Sequence, residues 1–169
     1  MVACWLSLPL MGQNTMPSAN DYDRISLNVF IPDQVENIPP AARSTLTNKL
    51  TQAVTKKGLA GAGVSPRFLL TANMDVLAED IVAGAPVRHT YQFEVSLFIV
   101  DFVDKITVSS TSFEVKGAGS NQSKAYTNAI KANDFNHPKV DAFLEEGKVK
   151  IIEYYNSRCD FVIARAKAQ

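Results

Sequence analysis

The sequence predicts an α+β fold: a single mixed/antiparallel sheet of about four strands, in the order β-α-β-β-β-α-α, with helices packed on one face. Three observations predict it. Apolar residues alternate with polar ones in four separate runs, the pattern of half-buried strands. One helical stripe lies between the first run and the second, and two more helical patterns follow the fourth. No internal repeat or low-complexity segment interrupts this order.

The first run is Ile25, Leu27, Val29 and Ile31, alternating with Ser26, Asn28 and Phe30 and ended by Pro32. Pro39-Pro40 opens a helix, because proline is tolerated in a first turn where its missing N–H has no partner to lose. Ala42, Leu46, Leu50, Ala53 and Val54 share one face of that helix. Lys56-Lys57 suits the negative end of its dipole, and Gly58 stops it. A glycine-rich connection then leads to a strand on which Phe68, Leu70, Ala72, Met74 and Val76 share a face.

Glu79 to Arg88 reads as a loop, since it holds Gly84 and Pro86. Tyr91, Phe93, Val95, Leu97 and Ile99 make the strongest strand; Phe98, Val100 and Phe102 on its other face predict that its far end is covered on both sides. Asp104-Lys105 is a turn, and Ile106 to Lys116 returns as the hairpin partner. Gly117-Ala118-Gly119 then breaks the strand, and Ser120 or Asn121 caps a helix with a small-residue face at Ala125, Ala129 and Ile130. Asn136-His137-Pro138 separates it from a last helix, in which Gly147 marks a bend or a split.

The 169-residue chain, 46% hydrophobic, is long enough to bury a core without disulfides or metals. The domain is expected over 24–169, behind a signal-peptide remnant at 1–12 and a polar tether at 13–23. The run VACWLSLPLM has the length of a secretory h-region and is too short to span a bilayer, which takes about 20 residues. It carries no cationic n-region, and Leu10 suits the cleavage site poorly, so a buried amino-terminal arm is the alternative. The leader reading makes the protein periplasmic or outer-membrane-associated; the arm reading makes it cytoplasmic.

Seventeen basic residues balance seventeen acidic ones, and no basic run exceeds Lys56-Lys57. Phosphate binding needs cations clustered along one face, so nucleic acid is not an expected partner. Cys4 and Cys159 lie in unrelated contexts, and neither His89 nor His137 has a Cys, Asp or Glu at metal-ligand spacing. Gly58, Gly61 and Gly63 follow a helix and precede a strand, the reverse of a dinucleotide fingerprint. No catalytic, cofactor or metal site is expected.

Two weaker features remain. The turn at Gly117, Gly119 and Ser120 lies between a strand and a helix, where free amides can hold an anion. Tyr154, Tyr155, Asn156 and Arg158 crowd one stretch of the last helix, and Tyr and Arg favour the centres of protein interfaces.

Phe93-Glu94-Val95-Ser96-Leu97-Phe98-Ile99-Val100-Asp101, then Ile106 to Val115, then Gly117-Ala118-Gly119 and Ala125 to Ala129, resemble Gram-negative envelope modules. The types concerned are the curli-secretion-channel (CsgG-like) family and the amino-terminal domain of the TolB type. The resemblance implies an envelope accessory or assembly protein that binds envelope proteins or itself, with no chemistry of its own. The sequence departs from the channel type in lacking a pair of membrane hairpins and a convincing lipidated cysteine, so pore formation is not carried over. Two rivals stay open: a small hydrolase or transferase assembled from distant residues such as His89, Asp101 and Cys159, and a structural subunit of a homo-oligomer.

Overall fold

The computed structural model describes residues 25–33, 38–61, 67–84, 87–132, 135 and 138–167, with side chains as far as Cys159. The leader and tether expected over 1–23, Gly63, and the Asn136-His137 connection lie outside the described residues.

Four strands lie side by side in sequence order: β1 (Leu27–Val29), β2 (Phe68–Val82), β3 (Arg88–Asp101) and β4 (Ile106–Gly119). β1 runs parallel to β2, its Leu27 opposite Phe68, and the other neighbours are antiparallel. Helices α1 (Pro40–Lys56), α2 (Gln122–Ala132) and α3 (Pro138–Lys167) complete the predicted order. All of them bury their apolar sides against one face of the sheet. On that face Phe93, Val95, Leu97 and Ile99 of β3 meet Leu46 and Leu50 of α1, Ala129 and Ile130 of α2, and Leu144 and Ile151 of α3.

The local chemistry follows the sequence closely at the helix ends. Pro40 takes the first helical position of α1, and Gly58, at φ 69°, ends it in the left-handed region that a side chain would strain. There Gly58 N–H donates to the Thr55 carbonyl and Leu59 N–H to that of Val54, so two orphan carbonyls are satisfied. Asn121 rather than Ser120 caps α2, its Oδ1 accepting from Lys124 N–H at 2.9 Å.

Five expectations are corrected. β1 is three residues long, pairing along its length with the start of β2 and bridging Ala60 through Leu27 alone; Ile31 is buried without strand pairing. The stretch Glu79 to Arg88 is strand at both its ends: β2 runs on to Val82 and β3 begins at Arg88, with a bulge between Val76 and Ala78. The β2 side of this hairpin arm is exposed on both faces, so it lacks the alternation that betrays a half-buried strand. The far end of β3 is not covered twice: Phe98 and Val100 are half-buried on the open face, and Phe102 stands 68% exposed beyond the strand. Gly117-Ala118-Gly119 does not break β4, since these residues pair with Tyr91, Thr90 and His89. Nor does Gly147 split the last helix; its missing side chain lets Ile99 approach, with the position of a Cβ only 2.2 Å from Ile99 Cδ1.

Candidate functional site

His89, Asp101 and Cys159 are not brought together. His89 and Asp101 occupy opposite ends of β3, about 40 Å apart at a strand rise of about 3.3 Å per residue. Cys159 is exposed on α3. An enzyme site built from these three groups is therefore overturned by the sheet itself. Among the described residues no group of three His, Cys, Asp or Glu is placed to hold a metal ion, and no helix is long and apolar enough to cross a membrane.

At the His89 end, His89, Tyr91 and Phe93 follow one another on the helix-covered face, with ring centroids 6.3 and 5.6 Å apart. Phe93 also meets Tyr126 of α2 at 4.2 Å. Glu79, across the hairpin, accepts from the Tyr91 hydroxyl and lies 3.2 Å from His89 Nδ1. That hydrogen bond and burial push the Tyr91 pKa up to about 12, while Tyr91 and His89 hold the Glu79 carboxyl below its usual range. Glu79→Gln is expected to bring the tyrosine's ionisation back toward about 10, as read by ultraviolet absorbance against pH. An unchanged titration would count against the contact.

The densest polar arrangement lies at the other end, where β2 begins and the β3–β4 turn closes. Arg67, one residue before β2, donates from Nε to Asp101 Oδ2 at 2.8 Å and from Nη2 to Asp104 Oδ2 at 2.9 Å. The second oxygen of Asp101 accepts from the backbone N–H groups of Val103 and Asp104, at 2.9 and 3.1 Å. The Tyr154 hydroxyl donates to Asp104 Oδ2, which Arg158 Nη1 also reaches at 2.6 Å. Arg67 further lies over the rings of Phe68, Tyr154 and Tyr155, at 5.8, 5.7 and 5.2 Å.

The electrostatics follow from this geometry. Burial works against the charge of Asp101, whose side chain is 0% exposed. The Asp104 and Val103 amides and the Arg67 guanidinium outweigh it together and hold the carboxyl below its ordinary value. Burial likewise opposes the Arg67 charge, and its bond to Asp101 and the neighbouring anionic groups win. Tyr154 is pushed up, chiefly by donating to Asp104. These groups satisfy one another, so the cluster holds the turn rather than offering a nucleophile or a proton carrier.

What it holds out is apolar. Phe102 and Val103 are 68% and 64% exposed, side by side in a turn whose last residue, Lys105, is at φ 56°, and Ile106 stands beside them. Of the residues predicted for an interaction surface, Tyr154 is half-buried within the cluster, whereas Tyr155, Asn156 and Arg158 are exposed on the adjoining flank of α3. Sequence reading missed Arg67, Asp101 and Asp104 as partners of this group. Asp101-x-x-Asp104 around a hairpin turn was the available signal.

Of the residues predicted for an anion-binding turn, Gly117 is buried and Gly119 half-buried in β4, and Ser120 is exposed just beyond it. A Cβ on Gly117 would lie 2.2 Å from the Ala125 carbonyl oxygen, so close helix packing accounts for this glycine.

No protein-family model and no curated protein matches the chain. Several solved structures are similar to it. A minor lipoprotein from Acinetobacter baumannii is 10% identical over 80% of this chain and 89% of that one, with a TM-score of 0.37. Protein XCC0632 from Xanthomonas campestris is 14% identical over 80% and 90%, with a TM-score of 0.43. The PelC dodecamer from Paraburkholderia phytofirmans is 15% identical over 65% and 83%, with a TM-score of 0.38. Likenesses this distant carry no function over to this chain.

Proposed function

We propose that this chain is a non-catalytic, exported, envelope-associated binding or assembly module that acts through protein–protein contacts. Its contact surface is the β3–β4 end of the sheet, flanked by Tyr155, Asn156 and Arg158. One observation carries this reading: a turn whose polar groups are consumed internally presents Phe102 and Val103 to solvent. An apolar pair held rigid before binding loses little entropy when a partner covers it, which favours an interface hot spot. The apolar run at residues 2–11 and the resemblance to curli-channel and TolB-type modules support export and an envelope partner.

The test is Phe102→Ser with Val103→Ser in the full gene, expressed in its own host, with fractionation, intact mass and chemical cross-linking. Exposed substitutions of this kind change stability by about 0.5 kcal/mol or less. The wild type is expected outside the cytoplasm, cut ahead of Gln13, in a defined complex that the double variant forms at least tenfold less. Full-length cytoplasmic protein sinks the export reading. An unchanged complex in the folded variant sinks the contact surface.

A further inference from the structure

We propose that two copies of this chain join through the outer edges of their β4 strands, antiparallel, about a two-fold axis at Val115. This does not rest on the contact surface proposed above, which lies at the end of the sheet rather than along its edge.

β4 is 14 residues long and last in the sheet, and among the described residues no strand pairs with its outer edge. A long, regular edge is a row of unpaired N–H and C=O groups, which proteins normally shorten, bulge or cover. Here the Asn128 amide donates to the Ala118 carbonyl and covers only the last part. The stretch from Ser110 to Lys116 lies open, and with the two-fold at Val115 its last three residues, Glu114 to Lys116, meet their own copies.

Charge selects the occupant. On the open face of the sheet Asp75 stands opposite Glu94, and Glu94 opposite Glu114, so three carboxylates line up across three strands. Asn73 donates to Asp75 at 2.7 Å and Gln92 to Glu114 at 2.6 Å. These amides are neutral, so Glu94 and Glu114 still oppose each other as like charges, and a cation in a fifth strand would relieve them. Lys116 is exposed on the same face, and among the described residues it has no ion-pair partner.

In an antiparallel pair centred on Val115, each Glu114 falls opposite the other copy's Lys116. The two-fold makes this contact twice and extends both carboxylate rows with a lysine. A lone lysine on an edge discourages pairing; a Glu-x-Lys unit about a two-fold is self-complementary. α2 lies over β4, its Ala125 and Ala129 against Gly117 and its Tyr126 ring reaching Phe93.

The experiment is sedimentation of the full chain, wild type and two exposed charge variants. Lys116→Glu gives four acidic groups at the axis, and Glu114→Lys gives four basic ones. Each alone is expected to weaken the dimer at least tenfold. Mixed in equal amounts, the two variants set the acidic pair of one chain opposite the basic pair of the other, and a heterodimer is expected to return. Circular dichroism checks that each variant is folded. A wild type that stays monomeric at high concentration overturns the proposal. So does a wild-type dimer that either variant leaves intact, or a mixture that stays monomeric.

Discussion

Asp101→Ala is expected to lower stability by roughly 3–4 kcal/mol, the largest effect of any single polar substitution in the described residues. The carboxylate is fully buried against the Arg67 guanidinium and the Val103 and Asp104 amides, and through Arg67 it anchors the rings of Tyr154 and Tyr155. Removing it leaves the Arg67 Nε–H and two backbone amides without their acceptor at once, and each loss costs on the order of 1–3 kcal/mol. Urea unfolding should show a lower midpoint at an unchanged slope. A loss below about 1 kcal/mol would mean that the turn is held by other contacts.

The same carboxyl gives the protein an acid-labile contribution. Its folded pKa lies below its unfolded value, so the stabilisation is fully present above the unfolded value and disappears as pH falls through the folded one. Wild type is therefore expected to lose stability below about pH 4 more steeply than Asp101→Asn, the unfolded carboxylate titrating near about 3.9. Parallel curves for the two proteins would contradict the assignment.

Gly117→Ala is expected to cost about 3 kcal/mol, at the top of the range for an added methyl in a packed core. The new Cβ would lie 2.2 Å from the Ala125 carbonyl oxygen and 2.6 Å from Ala129 Cβ. Neither can rotate away, so α2 must lift from β4 as a body. Gly147→Ala makes the useful contrast. Its Cβ would meet the end of the Ile99 side chain, which can change rotamer, and alanine favours the helix by about 1 kcal/mol. A change within about 1 kcal/mol of wild type is expected there. Thermal unfolding of both variants measures the difference, and equal losses would show that α2 gives way as easily as one side chain.

Much of this architecture is written in local chemistry. Alternation along Tyr91–Ile99, the stripe on α1 and the caps at Pro40, Gly58 and Asn121 determined the element order, because burial on one face and satisfaction of helix ends depend on neighbours a few residues away. The exposed hairpin arm escaped this logic: where both faces of a strand meet water, no period remains to be read, and Glu79 to Val82 looked like a loop. Gly117 misled for the opposite reason. A glycine in a strand reads locally as a break, and only the helix lying over it shows that its value is the absence of a side chain.

The candidate sites divide the same way. Tyr154, Tyr155 and Arg158 could be singled out as a group because helical spacing keeps them together. Their partners Arg67, Asp101 and Asp104 come from distant segments and meet only when β2 and β3 pair so that Phe68 faces Asp101. Antiparallel register likewise put Asp75, Glu94 and Glu114 in one row, and the sheet's order left β4 at its edge. The sequence by itself determined the order of strands and helices and the buried stripes of β3 and α1. Only the tertiary structure decided which charges meet, which apolar residues stay outside and which edge lies open, because long-range pairing sets those distances and no local pattern encodes them.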